Sequence, residues 1–268
     1  MRIFLPLLAC LLWASTPAAA QGQHSVQASY EIYAGGLNVA AANAIVHLDS
    51  RAYRMELAYH TTGLLGLLFR GEHLNKADGL FTGTRSAPQR FSGTGIWRGQ
   101  PRAAVIEYQA GLPNVVQLVP PNDTEREPVP LAVQANSVDS LSAIAAMIRH
   151  VQQTGQCDGS ARVYDGRRAS DITARTAGQE IIPPSGRSPF AGRALRCDFE
   201  GRLVAGFRLN EDRETASRPL RGSAWLAEAL PGTVAIPVRL SFETRWFGES
   251  IAYLTAATRN PSGRLAQR

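Results

Sequence analysis

The chain has 268 residues and a formal charge of +6, and Lys76 is its only lysine, so arginine carries nearly all the positive charge. The arginines alternate with acidic and apolar residues along the strands, and the sequence shows none of the concentrated basic patch with aromatic platforms that nucleic-acid binding needs. They read as a basic solvated surface, with a weak affinity for anionic lipid or polymer as the alternative.

Residues 1–20 have the anatomy of a secretory signal. Met1 and Arg2 give a positive start, residues 3–13 are almost unbroken apolar, and Ala18-Ala19-Ala20 before Gln21 fits the small-x-small rule of cleavage. The competing reading is a lipobox at Leu7-Leu8-Ala9-Cys10, which would make Cys10 a lipidated N-terminus. Cleavage after Ala20 leaves roughly 250 residues, the size of one all-β domain or two small ones; a single domain over 21–268 is expected. The mature protein is expected to work outside the cytoplasm. Beyond residue 20 the longest apolar stretch, 63–69, is far below the roughly 20 residues of a spanning helix, so no transmembrane helix is predicted.

The rest reads as strand after strand. Residues 30–33 alternate, Gly35-Gly36 turns, and 37–48 and 53–59 alternate again. Asp78-Gly79 reads as a tight turn between strands at 72–77 and 80–84. Residues 89–97 and 103–109 pair through Arg98-Gly99-Gln100-Pro101, and 115–119 adds a short strand. Residues 120–130 hold four prolines and cannot form a central strand. One helix follows at about 138–152. Ser137 or Asp139 can cap it, Val138, Leu141, Ile144, Ala145, Ile148 and Val151 share one face, and Gly155 lies past its end.

Strands resume at 161–164 and 169–176 around Asp165-Gly166, and 178–192 reads as a loop. Residues 193–199 and 202–209 are expected to pair across Glu200-Gly201, and three further strands run from 223 to 257, the last two joined at Gly248. So many sequential hairpins predict a mainly β fold. Its sheet is one large, strongly curved antiparallel sheet, an open barrel or spiral, with one packed helix, because a flat sheet this long would expose an apolar face.

Two features point beyond the fold. Cys157 and Cys197 remain as an even pair after the signal, and an oxidising compartment predicts a structural disulfide between them. A redox or metal pair would want Cys-x-x-Cys or neighbouring histidines, which are absent. Residues 61–69 fit neither template well and read as a short apolar helix or a lid over the open end of the sheet; their Leu64, Leu65, Leu67, Leu68 and Phe69 are either the apolar mouth of a cavity or a plug that completes the core.

No nucleophile elbow, no free cysteine and no metal-binding histidine spacing occurs, so no catalytic residue, metal or cofactor is predicted. His24, His47, His60, His73 and His150 are scattered; His60 and His73 could face each other across a hairpin, with a pair of surface histidines as the plainer account. Gly93-Thr94-Gly95 with Gly99 has the wrong spacing for a dinucleotide loop and reads as a turn. Asp139 reads as a helix-start residue, Asp165 as a turn residue, and Glu56 and Glu72 stay unassigned.

The segment Tyr30-Glu31-Ile32-Tyr33-Ala34-Gly35-Gly36-Leu37, the helix entry Ser137-Val138-Asp139-Ser140-Leu141, and Cys157 followed by Val163-Tyr164-Asp165-Gly166-Arg167-Arg168 carry a resemblance, as does Cys197 before a second hairpin. Together they resemble a family of exported bacterial proteins of unknown function. That family is similar to periplasmic envelope-integrity proteins with a curved or spiral sheet and, more distantly, to lipoprotein carriers of the LolA and LolB kind. The resemblance implies a periplasmic location and an apolar cavity, and supplies no catalytic residues. A non-enzymatic envelope protein that binds a protein, lipid or glycan partner is therefore expected. A lipid or lipoprotein carrier is the alternative, and an enzyme acting on envelope polymers comes third.

Overall fold

The computed structural model describes residues 24–244 and 248–260. The signal reading and Cys10 lie outside the described residues, as does the joint before Gly248.

Seven strands come first: β1 (His24–Ala34), β2 (Leu37–Leu48), β3 (Ala52–Thr61), β4 (Gly71–Thr82), β5 (Arg85–Trp97), β6 (Gln100–Gln109) and β7 (Leu112–Val119). A short helix α1 (Gly63–Leu68) interrupts them between β3 and β4. After α2 (Leu131–Gln134) and the long helix α3 (Ser140–Thr154) come β8 (Gly159–Tyr164), β9 (Ala169–Ile182) and β10 (Gly192–Ala205). The one-turn α4 (Arg213–Ala216), β11 (Leu220–Ala227), β12 (Ile236–Thr244) and β13 (Gly248–Arg259) complete the chain.

All thirteen strands form one antiparallel sheet, ordered β7-β6-β5-β4-β3-β2-β1-β13-β12-β11-β10-β9-β8. Each strand pairs with its neighbours in sequence except β7 and β8, and the one pairing of strands distant in sequence is that of β1 with β13. The edges β7 and β8 do not pair, yet the sheet curls until they approach. Arg167, in the β8–β9 turn, donates from Nη2 to the carbonyls of Val119 and Pro120 at 2.7 and 2.8 Å. A Cβ on Gly166 would lie 3.4 Å from Leu118.

The register explains which face turns inward. Val26, Val46, Met55, Ala77, Phe91, Ile106 and Val115 stand opposite one another across the first seven strands, an entirely apolar row on the concave side. Helix α3 packs across this face, burying Leu141, Ala145 and Ile148 against it. Asp139 caps the helix by accepting from Ser142 N at 2.9 Å, and Gly155 ends it at φ +70°. The helix starts two residues later than the sequence suggests. Val138 stays extended because it bridges β8, with its N–H on Arg162 O and its carbonyl on Tyr164 N.

Several expected turns are strand interiors. Asp78-Gly79 lies within β4, and the chain reverses at Gly83 instead. Gly79 is required by crowding: a Cβ there would come within 2.5 Å of Tyr53 Oη and of Ala87 O. Gly93 and Gly95 lie inside β5, with the turn at Arg98-Gly99, both at positive φ. The expected hairpin at Glu200-Gly201 does not form, because β10 runs unbroken beside both β9 and β11, which leaves Cys197 mid-strand. Strand β9 likewise continues through Gly178 to Ile182.

Candidate functional site

One end of the concave face is filled and the other is hollow. Towards the end where β1, β3, β5 and β7 finish, the inward rows change composition. The first carries Leu57, Asn75, Gly93 and Ala104, and the next carries Tyr59, His73, Gly95 and Arg102. The two glycines make room for their neighbours. A Cβ on Gly93 would sit 2.7 Å from Asn75 Oδ1, and one on Gly95 would sit 2.6 Å from His73 Nδ1. Small residues and polar side chains thus leave a cleft of ≈ 300 Å³ where the apolar core stops.

The seam of the sheet supplies the cleft's rim. Arg102 reaches in from β6, Arg126 from the proline-rich loop, Arg167 and Arg168 from the β8–β9 turn, and Arg208 from the segment after β10. Five guanidinium groups therefore face two carboxylates, Glu125 and Asp165. Glu125 takes a hydrogen bond from Arg102 Nη1 at 2.8 Å and lies 3.6 Å from Arg167 Nη1, and that hydrogen bond holds its carboxyl below the usual range. Asp165 accepts from the backbone N–H groups of Arg167 and Arg168, both at 2.9 Å, and from Arg168 Nε at 3.0 Å. Both acids are thus committed within the rim.

The remaining electrostatics are those of crowded cations. Burial lowers the Arg126 pKa, and the charges of Arg168 and Arg208 lower it further; burial also lowers that of Arg167. The His73 pKa is pushed down by burial and by the charge of Arg102. Arg126 is oriented by a 2.7 Å bond from Nη1 to Gly206 O. The buried Arg102 Nε has no acceptor. Such an array can bind an anion; it offers no nucleophile with a base beside it. Among the described residues, no group of three or more histidine, cysteine, aspartate or glutamate side chains could hold a metal.

The residues singled out from the sequence scatter around this cleft. Leu64, Leu67, Leu68 and Phe69 are exposed at the same end of the sheet and Leu65 is half-buried; no residue of α1 is buried, so the helix is not a core plug. Cys157 and Cys197 are bonded with their Cα atoms 6.0 Å apart, tying the exit of α3 to the middle of β10. His60 stands opposite Glu72 and His73 opposite Tyr59, so the two histidines point to opposite faces, and His73 stacks on Tyr59. Glu56 is buried on the outer face, 3.5 Å from Lys76. Asp139 belongs to a separate buried chain, in which Tyr53 Oη donates to Ser142 Oγ at 2.7 Å and Ser142 Oγ donates to Asp139. That chain pegs the helix to β3 and is closed to solvent.

Sequence reasoning missed the arginine cluster, because its members come from four separate segments. A signal was present: Arg126, Arg167 and Arg168 all lie in turn or loop segments bounded by proline or glycine, where side chains are free of ladder constraints.

No curated protein matches the chain. Among solved structures it is similar to a beta-barrel-like protein of domain of unknown function DUF1849 from Brucella abortus. The two are 9% identical over 90% of this chain and 99% of that one, with a TM-score of 0.51, a likeness of fold alone. A domain from Vibrio parahaemolyticus, described as an outer membrane lipoprotein-sorting protein, is 8% identical over 90% of this chain and 88% of its own; its TM-score of 0.26 carries no argument. The model of the family described as Protein of unknown function (DUF3108) matches residues 29–255, most of the sheet and the whole cleft, and the chain belongs to that family.

Proposed function

We propose that the protein is an exported, non-catalytic binding module of the bacterial cell envelope that holds an anionic group of its partner in the arginine-lined cleft. The observation that carries this reading is the cleft itself: five guanidinium groups converge on a hollow of ≈ 300 Å³ whose two carboxylates are already engaged. Guanidinium pairs favour carboxylate and phosphate oxygens by charge and by planar, two-pronged geometry. The disulfide supports a periplasmic site of action, since such bonds persist in oxidising compartments. A carrier that encloses acyl chains would want a long apolar hollow; this one is ≈ 300 Å³, its Phe91, Trp97, Ala103 and Ala104 share the lining with five arginines, and the concave face beyond it is filled by α3.

Titration calorimetry with glycerol phosphate tests the reading. Arg168→Gln combined with Arg208→Gln removes two exposed rim cations, and should weaken binding about tenfold while leaving the melting temperature unchanged. Failure of the unmodified protein to bind, or equal binding by the double variant, would refute the reading.

A further inference from the structure

We infer that the open end of the sheet docks on an anionic lipid surface, with α1 entering the boundary between headgroups and acyl chains while the arginine cleft receives a phosphate headgroup. The inference rests on the reading of the cleft as an anion site, and names the form in which the anion is met.

Its first support is that α1 is firmly anchored yet shows its leucines to solvent. Thr62 N donates to Val39 O at 3.0 Å, tying the start of α1 to β2. Thr61 Oγ1 donates to Phe69 O at 2.8 Å and accepts from Gly71 N at 3.0 Å. These bonds fix the segment at both ends. Leu67 nevertheless remains 85% exposed, with Leu64 and Leu68 exposed beside it. Leu37, next to the Asn38 on which Thr62 rests, is exposed as well. Turning these side chains outward gains the fold nothing, and an anchored apolar patch of this kind marks a contact surface.

The second support is the charge around the patch. The Arg98 guanidinium lies over the Phe69 ring at 4.9 Å, and Arg70 follows Phe69 directly, exposed and 3.5 Å from Glu72. Trp97 joins patch and cleft: it lines the cleft, and it packs so closely on Gly71 that a Cβ there would lie 2.7 Å from its ring. Beyond Trp97 stand the exposed Arg168 and Arg208. Apolar side chains on one short helix, flanked by guanidinium groups, match the two attractions of an interfacial segment, namely apolar burial at the acyl boundary and attraction to anionic headgroups. A protein partner would find little area to bury on a helix of six residues. A bilayer supplies its own shape.

The test is co-sedimentation with phosphatidylcholine vesicles, with or without about one third phosphatidylglycerol. The protein should sediment with the anionic vesicles only, and added salt should weaken the binding. Leu67→Gln with Leu68→Gln should lower vesicle binding about tenfold or more without lowering the melting temperature, because both side chains are exposed. The same variant should bind glycerol phosphate normally, whereas Arg168→Gln with Arg208→Gln should weaken both activities, glycerol phosphate binding about tenfold. No sedimentation with anionic vesicles would overturn the inference, as would sedimentation indifferent to the leucine changes, or capture of a protein through α1 without lipid. In each of those cases an intact response to glycerol phosphate leaves the cleft's reading standing; loss of both would sink the two together.

Discussion

Asp139 shows how one residue serves two opposed demands. Its carboxylate caps α3, a position that favours negative charge, but burial pushes its pKa from 3.8 up to about 6. The native state therefore binds this proton more tightly than the unfolded chain does. The resulting stabilisation is complete below about pH 4 and is lost as the pH rises through about 6. Asn keeps the acceptor for Ser142 N without the charge, and its amide NH2 takes the place of the oxygen to which Ser142 Oγ donates, so Ser142 Oγ must turn to accept from it. Asp139→Asn should flatten the stability profile between about pH 4 and 7, and raise neutral stability by about 1–2 kcal/mol after the lost charge–dipole attraction is counted. Urea denaturation at both ends of that window checks it; an Asn variant weaker at neutral pH would show that the ionised form is the stabilising one. Gly79 makes the complementary point. The dipeptide Asp78-Gly79 has the signature of a turn, yet the glycine is there because Tyr53 Oη and Ala87 O leave no room for a Cβ. A turn and a close approach both demand glycine, and sequence cannot tell them apart. Gly79→Ala should cost about 1–3 kcal/mol, measured by thermal melting, since the methyl displaces the hydroxyl that bonds Ser142.

Among the elements, those whose signals are local were legible. The α3 face, its Asp139 and Gly155 ends, and strands β2 and β3 follow from periodicity and caps. Strands β9 and β10 were shortened in that reading because Gly178 and Gly201 resemble punctuation, whereas long pairing on both sides of β10 overrides their weak strand preference. The cysteine pair was legible from parity and compartment alone. The bond closes a loop of sequence separation 40, and in the chain-entropy model stabilises the fold by about 4 kcal/mol. Reductant or Cys157→Ala should lower the melting temperature, with the double alanine variant no worse than either single one. Thiol counting on denatured, unreduced protein should find none free in this pair; two reactive thiols would remove the bond from the account.

For the whole molecule, the curved antiparallel sheet and its packed helix are what strand count and hairpin rhythm predicted, and the expected membership of a family of unknown function is confirmed by the match over residues 29–255. The cleft was not legible. Arg102 and Arg208 read as ordinary strand-surface cations until the curl of the sheet brings β6 and the segment after β10 to a common rim. Long-range juxtaposition of this kind has no signature at any fixed spacing.

The meeting of β1 and β13 in the middle of the sheet has a consequence for synthesis. Strands β1 to β7 can zip together in order as they emerge, since each pairs with its predecessor. The second edge of β1 then stays open until the last strand is made, and the Tyr30 hydroxyl waits for Pro237, 207 residues away. Through most of its production the chain therefore carries a long unpaired edge at what will become its centre, ready to recruit a strand from another molecule. A nascent chain with that vulnerability has reason to depend on holding factors that bind extended segments, and truncation before β13 should yield aggregates instead of a smaller folded sheet.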